Sequence, residues 1–134
     1  MTEPCDMDNF NDEDLDALEK AVKEISKRTS YGLRREYAEK RGTILSWSNA
    51  SKRWIVTRTV DAGEEVTLDA NQILVPASPI RIKRIEDCLP MLPLYELSFE
   101  AKERGEVPPK LAEVTWALKQ MKRIEEEKWR RENV

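Results

Sequence analysis

Four short β-type runs separated by tight turns fall within residues 43–75, and this cluster constrains the fold more than any other feature. Thr43-Ile44-Leu45-Ser46-Trp47 is rich in strand formers. Ser48 to Lys52 is a turn cluster. Arg53 to Val60 is β-branched and aromatic, and strict alternation places Trp54, Val56 and Val60 on one side of the pleat. Asp61-Ala62-Gly63 reads as a hairpin turn, with glycine where positive φ is needed. Glu64 to Asp69 alternates Val66 and Leu68 with polar residues. Ala70-Asn71-Gln72 reads as one helical turn, and Ile73-Leu74-Val75 as a last strand stopped by Pro76.

The flanks have a different period. Asn11 or Asp12 offers a helix cap, and Leu15, Leu18, Val22 and Ile25 recur at spacings of three and four, one stripe of an amphipathic helix. Leu33 and Tyr37 extend an apolar face toward Gly42, a C-terminal helix glycine in this reading. The spacing predicts helices over 12–28 and 30–41, or a single kinked one. Ile80 to Ile85 alternates apolar and basic residues, as a fifth strand would. Leu94 to Arg104 reads as a short helix ended by Gly105. Pro109 opens a last helix whose stripe is Leu111, Val114, Leu118, Met121 and Ile124. The expected class is α+β. Residues 1–10 are expected to be a disordered acidic leader. Residues 11–134 form a single domain: helices over 12–41, a β-barrel over 42–85 and helices over 94–132.

The barrel expectation rests on a resemblance. Gly42-Thr-Ile-Leu-Ser-Trp47, Arg53-Trp54-Ile-Val56, Gly63-Glu64-Glu-Val66-Thr-Leu68 and Asn71-Gln-Ile73-Leu-Val-Pro76 together resemble a small SH3-like barrel of the Tudor-like or KOW-like kind over residues 42–77. The stretch lacks the four cage aromatics with which Tudor domains read methyl-lysine. The resemblance implies a binding module rather than an enzyme.

Composition narrows function further. The chain has no histidine, so His-based triads and His-ligated metals are excluded. Its four glycines, Gly32, Gly42, Gly63 and Gly105, are scattered and form no phosphate loop. Asp61, Glu64 and Glu65 belong to turn chemistry. No catalytic residue, metal site or cofactor is expected. The two cysteines, Cys5 and Cys88, read as lone thiols: Cys88 a buried small hydrophobe, and both suited to a reducing, cytoplasmic compartment. No apolar run is long enough to span a membrane.

Net charge is −3, but residues 1–19 hold eight acids and no base, while residues 20–41 carry +5. The plain reading of the acids is helix-dipole tuning. The sharper one is an acidic arm that mimics nucleic acid. Three functions follow. The first is a protein-interaction or adaptor module, binding a partner or a second copy through the C-terminal helix, with Trp116, Trp129 and the strand-end Trp47 as contact residues. The second is a nucleic-acid-binding accessory protein using Arg81, Lys83 and Arg84 on the fifth strand, with Arg53 and Arg58. The third is a small inhibitor of phage type carrying the acidic arm.

Overall fold

The computed structural model describes residues 6–30, 32–105 and 108–133. The chain is α+β, as its two periods imply. In order, the elements are α1 (Asp12–Lys27), β1 (Arg34–Tyr37), β2 (Gly42–Ser48), β3 (Arg53–Val60), β4 (Glu65–Leu68), β5 (Gln72–Val75), α2 (Pro79–Ile85), a 3-10 turn at 86–88, α3 (Leu94–Arg104) and α4 (Pro109–Glu132).

The strands make two sheets. β2 is central in a three-stranded antiparallel sheet, between β3 and β5, and β1 pairs with β4 in a separate ribbon. One face of the larger sheet, with Leu45, Trp47, Trp54, Ile73 and Val75, packs into a core shared with α1, α2 and α4. On the other side Ile44 and Val60 join Ala38, Val66 and Leu68 of the ribbon segment in a second, smaller core. The helices and the ribbon therefore cover opposite faces of one sheet. α4 packs mainly on α1 and α3.

A bulge lets β3 serve both cores. Leu45 pairs with Val56, but Ile44 pairs with Arg58, so Thr57 is the extra residue. Its Oγ1 donates to the Ile44 carbonyl at 3.0 Å. Before the bulge Trp54 and Val56 face the helices, and after it Val60 faces the ribbon. Strict alternation had put all three on one side. An inserted residue breaks that parity without any change in strand propensity.

Four segments depart from the sequence reading. Residues 34–37 are not helical: they pair with residues 65–68, from Arg34–Leu68 to Tyr37–Glu65. Gly32, at φ +59°, already interrupts a helical path, and Leu33 and Tyr37 are exposed. The turn at 61–63, with Gly63 at φ +86°, joins strands of different sheets rather than a hairpin. Ala70-Asn71 is a turn, closed where Asp69 Oδ1 accepts the Asn71 N–H at 2.8 Å.

The fourth departure is α2. Ser78 caps it, accepting the Arg81 N–H at 3.3 Å, and Pro79 fills the first turn. The buried residues are Ile82 and Ile85, three apart, while Ile80 is exposed. Helical spacing wins over alternation because the cap and proline start a helix exactly where the apolar pair needs one. Gly42 is also reassigned. It opens β2 beside β5, where a Cβ would lie only 2.7 Å from the Val75 carbonyl oxygen. Only glycine permits that approach.

Residues 1–5, Cys5 among them, lie outside the described residues. Residues 6–10 are not a free leader: Met7 is buried in the main core and Phe10 packs against it. Cys88 is buried, as expected, but it is not the free thiol that the sequence reading made it. Among the described residues no helix is long and apolar enough to cross a membrane.

Candidate interaction surface

The geometry of α4 is set by charges at both ends. At its start, Glu113 is completely buried and receives Arg28 Nε at 3.0 Å and Nη2 at 2.6 Å on one carboxylate oxygen. Arg28, the C-cap residue of α1, is equally buried. Its remaining N–H groups donate to the Ala70 carbonyl at 3.2 Å and the Leu92 carbonyl at 3.0 Å, and its guanidinium lies 4.8 Å from the Trp54 ring centre. Lys110 donates to the Ser26 and Arg28 carbonyls. Burial lowers the Lys110 pKa, and the nearby Glu113 carboxylate only partly offsets that.

At the other end, Lys128 pairs with Asp16 at 2.7 Å and reaches Glu19 at 3.5 Å. Arg131 lies 3.7 Å from Asp12 and donates to the Met7 carbonyl, and Arg130 pairs with Asp8. The start of α4 is thus tied to the end of α1, and its end to the start of α1. The two helices run antiparallel.

The same acids close the other side of α1. Asn11 and Asp14 form a reciprocal capping box. Asp14 also accepts Arg81 at 2.5 Å and Arg84 at 3.0 Å, and Glu13 accepts Arg81 at 2.5 Å. Burial pushes the Asp14 carboxyl up, but hydrogen bonds from Arg81, the Asn11 N–H and Arg84 outweigh it, leaving its pKa below the usual 3.8. Asp8, Asp12, Glu13, Asp14, Asp16 and Glu19 are all engaged within the chain.

The expected basic strand is instead the helix α2, and its arginines are engaged within the chain. Arg81 and Arg84 sit three apart on helix α2 and both turn to α1. Arg53 pairs with Asp87, and Arg58 with Glu64. Of the five, Lys83 alone carries no ion pair among the described residues, and it stands apart in solvent.

The three candidate tryptophans separate completely. Trp47 is 8% exposed and stacks edge-on with Trp54, ring centres 5.6 Å apart, so it belongs to the core and not to a binding edge. Trp54 is fully buried, as its alternation with Val56 predicted. Trp116 is half-buried against the main core. Trp129 is 66% exposed.

The apolar stripe expected to dock α4 is rotated. The buried residues are Glu113, Ala117 and Ile124, with Trp116 and Met121 partly covered. Leu111 and Leu118 are 55% and 61% exposed. At 100° per residue Leu111, Leu118 and Trp129 fall within about 20° of one line, opposite the buried face. Tyr95 and Phe99, four apart on α3, are also exposed. The residues placed α3 correctly at Leu94–Arg104, but this exposed aromatic pair was not singled out, although its i, i+4 spacing was the signal. Among the described residues no group of three carboxylates or cysteines is placed to hold a metal. No protein-family model, curated protein or solved structure matches the chain.

Proposed function

We propose that this chain is a non-catalytic protein-interaction module whose docking element is the outward face of α4. One observation carries the reading: Leu111, Leu118 and Trp129 are aligned and exposed along a helix whose other face is bound into the core. Single exposed leucines are ordinary, but a line of large apolar residues on a well-anchored helix is the form of a helix–partner contact. The anchoring by Arg28, Lys128 and Arg131 presents this face without further ordering cost.

The strand region, in the same proposal, is an opened relative of the SH3-like barrel over residues 42–77. Its support is the pair of small sheets facing each other across Ile44, Val60, Val66 and Leu68, with β3 bent at Thr57. It serves as the platform for the helical layer.

The test is a photo-reactive amino acid at position 118, with position 83 as the control, illuminated in the producing cell. An adduct of discrete mass from position 118 alone is expected. Equal labelling at both positions, or none at 118, overturns the reading.

A further inference from the structure

Between Leu118 and Trp129, four exposed charges of α4 have no ion pair among the described residues: Lys119, Lys122, Glu125 and Glu126. Their neighbours on the helix are engaged. Glu127 holds Arg130 and Arg131, Lys128 holds Asp16, and Lys110 lies beside Glu113. The four free charges are ordered, two bases and then two acids, and they lie between Leu118 and Trp129. Lys122 and Glu125 share the outward line with these apolar residues, while Lys119 and Glu126 flank it on one side.

This order is self-complementary under a two-fold axis. Resting on the interaction reading above, we infer that the outward face of α4 receives a second copy of this chain, with the two α4 helices antiparallel and crossing near residues 123–124. Setting Lys122 opposite Glu125 of the partner subunit fixes the register. The same register sets Leu118 opposite Trp129 of the partner subunit, and the two-fold repeats both pairs. In an antiparallel pair equivalent flanks meet, so Lys119 comes beside Glu126 of the partner subunit. Every unpaired charge in the segment then gains an opposite one, and each exposed apolar side chain in the overlap gains an apolar one. A parallel pair would instead oppose Lys122 to Lys122 and Glu125 to Glu125, which like-charge repulsion disfavours.

Sedimentation equilibrium of the full chain over a concentration series tests the inference, with Lys122→Glu, Glu125→Lys and the double variant. These positions are exposed, so thermal unfolding should match the parent chain at concentrations where both are monomeric. The parent should dimerise. Each single reversal replaces two attractive pairs with two repulsive ones and should weaken the dimer at least about tenfold. The double variant should regain it, and an equimolar mixture of the two single variants should form a heterodimer. A parent chain that stays monomeric overturns the inference, as does a dimer insensitive to the single reversals or not rescued by the double. A monomeric chain that still forms a discrete photo-adduct at position 118 with a different protein removes the self-pairing and leaves the interaction reading standing. Absence of any such adduct removes both.

Discussion

On the inward side of α4 a glutamate is fully buried, while on the outward side two leucines and a tryptophan stand in solvent. The helix inverts the usual rule at both faces. Glu113 is tolerated inside because Arg28 meets it with two N–H groups and has its own remaining donors satisfied by carbonyls. Leu111 and Leu118 lie outside because rotating them inward would expose that ion pair and withdraw Trp116 and Ile124 from the core. A buried carboxylate held by two N–H groups of a buried arginine sets the rotation of this helix more firmly than two leucines do.

The inward face should be the costlier one to disturb. Glu113→Ala should lose about 3–5 kcal/mol in urea unfolding, because it leaves a buried guanidinium without its counter-charge. Arg28→Met with Glu113→Met should recover most of that loss, since the apolar pair has no charge to desolvate. A single variant with parent-like stability would break the comparison.

Asp14 offers the intermediate case, because its arginines remain 26% and 50% exposed. Asp14→Asn should cost about 1–3 kcal/mol, in the range of hydrogen bonds to a charged group. Its pKa is depressed in the folded chain, so its contribution is fully present above about pH 4 and lost as pH falls through the folded value. Melting temperatures measured downward from pH 5 should fall more steeply for the parent than for Asp14→Asn. Parallel curves would show that Asp14 gains nothing from its ionised form.

The two outer tryptophans should then separate by face. Trp116→Ala removes a side chain packed against the core and should cost about 1–3 kcal/mol. Trp129→Ser and Leu118→Ser remove exposed groups and should stay within about 0.5 kcal/mol of the parent as monomers. Both should abolish association all the same. A large stability loss from either serine variant at a concentration where the chain is monomeric would place the outward face in the core.

Much of the strand region was legible in the residues themselves. β2 to β5 lie where β-branched runs and turn residues put them, because those preferences act over a few residues. α1 with its Asn11 cap and α4 with Pro109 at its start were equally readable. The strand β1 was not, since Arg34-Arg35-Glu36-Tyr37 has little strand character and becomes a strand only by pairing with residues about thirty positions away. Helix α2 left a signal in Ser78-Pro79 and the Ile82–Ile85 spacing, which the shorter alternation masked.

The sequence by itself determined where the chain changes period, where its helices begin, and that it carries no histidine. Each of these depends on neighbouring residues or on composition. The tertiary structure alone decided which acids meet which bases, which side of α4 faces inward and which tryptophans are covered. Those outcomes depend on contacts such as Arg28 with Glu113 and Asp14 with Arg81. Opposite charges can pair in many ways along a chain that is 37% charged, and only the packed backbone selects among them.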